Sequence, residues 1–256
     1  MEEVIVAPRE IREALPRARF LNEEEQARYE EAVKRFNSKK ARDNLSVPRN
    51  GSNIFKVSLL NHIGIPTATL QELDLIAREV PEFLEGHYED APAVILASSG
   101  DSYGSNDYVA KSLAGLIGRE SFSNPVIVEG LVPEDDDSSF YGLRFGKGEK
   151  FRVIEAPDFS HRNSGRKFRR INPDYSIEFE DKGSRTLYTR DNGLSGLYLG
   201  RYLNLIADVV LVNSNANGRV VVMKTGEAGS QNLLNDYIKT LKEKEDQEIE
   251  SVKARY

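Results

Sequence analysis

The chain has 256 residues, 39% hydrophobic and 30% charged, with 35 Lys plus Arg against 41 Asp plus Glu and a formal net charge of −6. It holds no Cys and three His, which excludes disulfides, thiol catalysis and zinc ribbons and leaves little material for a transition-metal site, so neither a cofactor nor a metal is expected. No apolar run approaches the ~18 residues of a membrane span, and the opening MEEVIVAPRE carries acids where a signal peptide needs a basic region, so the chain reads as cytoplasmic.

The net charge hides a segregation. Residues 51–137 carry 4 basic and 15 acidic groups, whereas residues 138–190 carry 12 and 7. Two such stretches either attract each other within the fold or present separate surfaces to partners.

In chain order, Asn22 with Glu25 forms a capping box, and Tyr29, Ala32, Val33 and Phe36 recur at helical spacing, which predicts one helix over 22–42. Residues 54–60, IFKVSLL, alternate Phe55, Val57 and Leu59 as a strand would. Thr69 with Glu72 caps a second helix with Leu70, Leu73, Ile76, Ala77 and Val80 on one face, ending at Pro81. The apolar run 93–97 reads as a buried strand, 106–117 as a helix closed by Gly118, and VIVEGL as another buried strand, together a candidate βαβ unit.

From residue 138 strands alternate with turns roughly every ten residues, which predicts an antiparallel meander rolled into a partial barrel or packed on the helices. If Asp191-Asn192-Gly193 closes a three-residue hairpin with Gly193 left-handed, Leu187 pairs with Leu197. Leu187, Leu197, Leu199, Leu203 and Leu205 then share one face, and Thr186, Tyr188, Arg190, Tyr198 and Tyr202 the other. A last helix starts near Ser230, with Leu233, Leu234, Tyr237, Ile238 and Leu241 apolar and a charged end that is either a solvated tail or half of an oligomer contact. The expected class is α+β. Its parts are a helical and short-sheet region over 1–132, a meander over 138–225 and a C-terminal helix over 229–256, with one composite domain as the alternative.

The catalytic candidate begins where the 93–97 strand runs into Gly100-Asp101-Ser102. This resembles the nucleophile block of the GDSL (SGNH) serine hydrolases. Gly104-Ser105-Asn106-Asp107 is similar to that family's G-x-N-D block, and Asp158-Phe159-Ser160-His161 to its D-x-x-H block. The resemblance implies an ester hydrolase with Ser102 as nucleophile, His161 as general base, Asp158 orienting it, and Gly104 and Asn106 as oxyanion donors. It covers eleven residues, and all of it falls within 100–161, whereas the family separates its blocks by alternating α/β layers. The bland reading of SGDSYGSND is a turn and helix cap rich in small polar residues.

Gly142 to Lys147 is one residue short of a P-loop, and Glu134 to Asp137 lacks the glycine an EF-hand loop needs, since Phe140 stands there. The strongest binding signal is 161–170, HRNSGRKFRR, with Arg162, Arg166, Lys167, Arg169 and Arg170 in one decade. Such density attracts phosphates, and Tyr188, Tyr198 and Tyr202 offer stacking faces for single-stranded bases. The competing reading is internal pairing with the acidic stretch, or protection of an edge strand. The leading expectation is therefore a non-catalytic binding or interaction protein. It would use the basic, tyrosine-bearing face (Arg162, Arg166, Lys167, Arg169, Arg170, Tyr188, Arg190, Tyr198, Tyr202) toward a protein or an anionic polymer such as single-stranded nucleic acid. The serine hydrolase with Ser102, Asp158 and His161 is the alternative.

Overall fold

A computed structural model describes residues 18–100, 103–119 and 121–223. Ser102 and the expected C-terminal helix, with its oligomer contact, lie outside them. Residues 18–223 form one compact unit. Among the described residues none of the helices is long and apolar enough to cross a membrane.

The elements are β1 (Ala18–Phe20), α1 (Glu23–Val33), α2 (Lys39–Leu45), α3 (Ile54–His62), α4 (Leu70–Glu79), α5 (Pro81–Leu84), β2 (Tyr88–Leu96), α6 (Asp107–Ile117), β3 (Val126–Asp135), β4 (Leu143–Glu155), β5 (Lys167–Ile171), β6 (Ile177–Phe179), β7 (Arg185–Thr189), β8 (Leu194–Leu199), β9 (Leu205–Ala207), β10 (Gly218–Arg219) and β11 (Val221–Met223). Nine strands make one mostly antiparallel sheet in the order β4-β3-β2-β8-β9-β7-β5-β6, with β10 added beside β2. Strands β1 and β11 form a separate pair.

Both expected capping boxes are present, Asn22 with Glu25 and Thr69 with Glu72, and Gly118 ends α6 at φ +73°. The single helix expected over 22–42 is instead two. The backbone N–H groups of Asn37 and Ser38 donate to the Asp135 carboxylate at 2.9 and 3.1 Å, and the Ser38 hydroxyl caps α2, so a carboxylate from the β3 end takes the donors a continuous helix would have used internally.

The strand expected over 54–60 is helix α3. Asn53 accepts from Lys56 N, and every residue from Ile54 to Leu60 is buried. A helix buried on all sides shows no 3.6-residue polarity, and a short apolar run then mimics a strand.

The strand-helix-strand stretch is not a parallel βαβ unit, because β2 and β3 pair antiparallel, Leu96 opposite Val126. Nor are β7 and β8 a hairpin. Gly193 is left-handed at φ +73°, but its carbonyl accepts from Ala97 N at 2.8 Å and its N–H donates to Ser98 Oγ at 2.8 Å, which ties the loop to the end of β2. Strand β9 returns through the 200–204 turn and fills the gap, antiparallel to β8 and parallel to β7. Leu187 therefore stands opposite Leu205, not Leu197, and the meander is interrupted by this parallel step.

Cross-strand partners share a face of the sheet. On one face, Val94, Leu96, Val126, Val128 and Leu194 join α1, α3 and α6 in the main core. On the other, Leu187, Leu197, Leu199 and Leu205 are fully buried, on the side closed by α4. There Asp74, fully buried, accepts from Arg185 Nη1 at 2.7 Å, Arg78 Nε at 3.1 Å and Ile171 N at 3.2 Å, so one carboxylate ties α4 to β5 and β7.

Candidate functional site

The helices leave part of the first face open at β7, where Tyr188 is exposed. Tyr188 on β7 and Tyr198 on β8 both pair with Ile206 on β9, which sets two tyrosines on one face about 10 Å apart, two inter-strand spacings. Tyr188 is 42% exposed and Tyr202, in the β8–β9 turn, 76%. That turn is fastened to β7 where Asn204 Oδ1 accepts from Thr186 N at 2.7 Å. Thr186 and Tyr188 are two residues apart and share the face, and Lys167 Nζ donates to Thr186 Oγ1 at 2.9 Å. Lys167 and Tyr188 thus flank Thr186 on one face.

Tyr198 is different. Its ring meets Tyr88 edge-on at 5.8 Å, and burial, with Asp90 and Tyr88 nearby, pushes its hydroxyl up to about 12. Arg190 is also engaged, pairing with Asp208 at 3.4 Å and lying 4.0 Å from the Tyr103 ring centroid.

The cationic decade is a strip along β7. Lys167 pairs with Thr186, Arg166 O accepts from Leu187 N at 3.0 Å, Gly165 N donates to Leu187 O at 2.7 Å and Ser164 Oγ accepts from Thr189 N at 3.1 Å. The chain that carries Arg162, Arg166 and Lys167 therefore runs past Tyr188 from end to end of its strand. Arg162, Arg166 and Arg169 are exposed, Arg166 resting 3.8 Å from the Phe179 ring centroid. Arg169 and Arg170 pair with Glu178 of β6 at 3.5 and 2.5 Å. Among the described residues none of these five cations pairs with a carboxylate from the acidic stretch 51–137.

The hydrolase candidates are placed otherwise. Asp158 Oδ2 accepts from Ile177 N at 2.8 Å, and His161 Nδ1 donates to Thr189 O at 3.0 Å, so each side chain has its own backbone partner and the two do not meet. Asn106 is fully buried; its amide donates to Leu194 O at 2.7 Å and accepts from the Tyr141 hydroxyl at 2.5 Å, which spends the group the resemblance assigns to an oxyanion. Among the described residues no cluster of three metal-ligating side chains occurs.

Sequence reasoning missed a group of buried charges beside this face. Lys56 Nζ donates to the carbonyls of Pro48 at 2.7 Å and Gly51 at 3.0 Å, and burial pulls its ammonium down to about 7. Asp90, opposite Tyr198 in the sheet, is pushed up to about 7 by burial, and Glu89, on the other face, up to about 9 by burial and then by Asp90. Neither Glu89 carboxylate oxygen has a hydrogen-bond partner. The signals were a lone Lys inside IFKVSLL and two acids opening the buried YEDAPAVIL strand. A cleft of about 450 Å³ lies between Ser46, Pro48 and Asn50 on one side and Val212, Ser214 and Asn215 on the other; it shares no residue with the tyrosine face.

Comparison with protein-family models, with curated proteins and with solved structures finds no match to this chain.

Proposed function

We propose that the protein is a non-catalytic binding protein that takes an extended anionic partner on the open end of its sheet, along β7 and the Arg162–Arg170 strip. The observation that carries this reading is the placement of Tyr188, in the open, on the face that Lys167 shares through Thr186, with Arg162 exposed in the same segment and neither cation paired with a carboxylate among the described residues. Aromatic rings are enriched in interface cores, and Arg162 and Lys167, which pair with no carboxylate among the described residues, keep their field for a ligand. The net charge of −6 does not oppose this, because association responds to the local field within about a Debye length, roughly 10 Å at 0.1 M salt.

The experiment is a titration at low salt with three polyanions: heparin, polyglutamate and a mixed-sequence oligonucleotide. At least one should bind, and the combined change Arg162→Ala, Arg166→Ala, Lys167→Ala and Arg169→Ala should abolish that binding while the fold persists by circular dichroism. Binding by none of the three, or undiminished binding by the variant, contradicts the reading. The ester-hydrolase alternative draws no support from Asp158 and His161, whose side chains are held by separate backbone groups.

A further inference from the structure

Resting on the binding reading, we infer that the partner is single-stranded nucleic acid. Its phosphates would follow Arg162 and Lys167, and an unpaired base would stack on Tyr188.

Two features of different chemistry lie side by side, and the inference needs both. The first is the strip. The chain from Ser164 to Lys167 is hydrogen-bonded alongside β7 from Thr189 to Thr186; Lys167, opposite Thr186, stands on the Tyr188 face, whereas Arg166, opposite Leu187 and against the Phe179 ring, leaves the sheet on the other face.

The second is the exposed ring of Tyr188 on the face that Lys167 shares. An acidic peptide would use the cations and leave the ring without a matching group. A duplex presents phosphates but keeps its bases stacked inside, out of reach of rings on a sheet surface. A single strand offers anionic backbone and free base faces together, and base–tyrosine stacking tolerates any sequence.

The geometry also sorts the tyrosines and arginines. Tyr198 is edge-packed on Tyr88, Arg170 is paired with Glu178, and Arg190 is held between Asp208 and Tyr103. These three support the platform; Tyr188 meets the ligand.

Fluorescence anisotropy tests this with labelled DNA and RNA single strands of about a dozen nucleotides, the corresponding blunt duplex, and an abasic strand of the same length and charge. The base-bearing single strands should bind tightest, and the abasic strand and duplex at least about tenfold more weakly. Tyr188→Ala should weaken single-strand binding about tenfold to a hundredfold and leave the salt dependence unchanged. Tyr188→Phe, which keeps the ring and its packing, should retain nearly full affinity. Replacing Arg162 and Lys167 by Ala should flatten the log–log salt slope by about 0.7 for each phosphate contact removed. Abasic and base-bearing strands binding alike, or Tyr188→Ala binding as wild type, would overturn the nucleic-acid inference and leave the anionic-partner reading standing. If heparin and polyglutamate also fail to bind at low salt, that parent reading falls with it.

Discussion

Tyr188 and Tyr198 face the same side of the sheet across a single intervening strand, each opposite Ile206, one in a parallel pair and the other in an antiparallel pair. Strand β9 puts them there by entering between two strands that follow each other in the chain. Because side chains alternate with period two, the insertion changes each tyrosine's neighbour but not its face. The outcome is a platform whose β8 side is packed and whose β7 side is open. The functional reading depends on that asymmetry.

The Asp74 carboxylate is the main polar anchor of the opposite face. Arg185→Leu should destabilise the protein by about 3 to 5 kcal/mol in urea denaturation, since it strands a buried charge, with Arg78 and the Ile171 amide as its remaining donors. Pairing it with Asp74→Leu should recover much of the loss. A cost below about 1 kcal/mol for the single change would mean the ion pair does not hold α4 to the sheet.

Burial raises the Glu89 carboxyl from its ordinary value to about 9. The folded chain then keeps a proton that the unfolded chain releases between about pH 4.5 and 9, so this group makes stability fall as pH rises through that window. At pH 7 the accumulated cost is roughly 3 kcal/mol. Glu89→Gln should therefore differ from wild type least at pH 4 and be progressively more stable by comparison up to pH 9. A difference between the two proteins that stays constant across pH would contradict the burial argument.

Lys56 shifts in the opposite direction. Its ammonium is pulled from 10.5 to about 7, so the unfolded chain binds the extra proton between those values and stability gains with rising pH there. Lys56→Met should lose this gain and also release the carbonyls of Pro48 and Gly51. Limited proteolysis should show earlier cleavage at 46–52 in the variant; unchanged cleavage would mean the lysine does not clamp that loop.

Much of the local structure was legible because local chemistry sets it. The Asn22–Glu25 and Thr69–Glu72 boxes, the Gly118 stop and the opposite faces of Leu187 and Tyr188 follow from spacing alone. What was hidden depends on distant residues. Period two gives a strand's face but not its neighbour, so β9 between β7 and β8 was unreadable. The break between α1 and α2 depends on Asp135, nearly a hundred residues away. Helix α3 has no exposed side to reveal its period. The cation cluster was legible as a cluster, but the separation of Arg170 from Arg162 required knowing that Glu178 lies on the adjoining edge strand. Asp74 left a readable trace, a carboxylate within the apolar stripe of Leu70, Leu73 and Ala77.

Ser102 should not behave as an activated nucleophile, because Asp158 and His161 are committed to Ile177 N and Thr189 O. A fluorophosphonate probe should leave the protein unlabelled, and Ser102→Ala should leave any background ester hydrolysis unchanged. Stoichiometric labelling at that residue would revive the hydrolase reading.

The most direct test of the account localises the contact. Amide hydrogen exchange, followed with and without a saturating single-stranded oligonucleotide, should show added protection at 164–169 and 185–189 and in the 200–206 turn and strand, with 43–50 and 212–216 unchanged. Protection confined to the cleft between those last two segments, or none at all, would contradict the claim that the open tyrosine face is the binding surface.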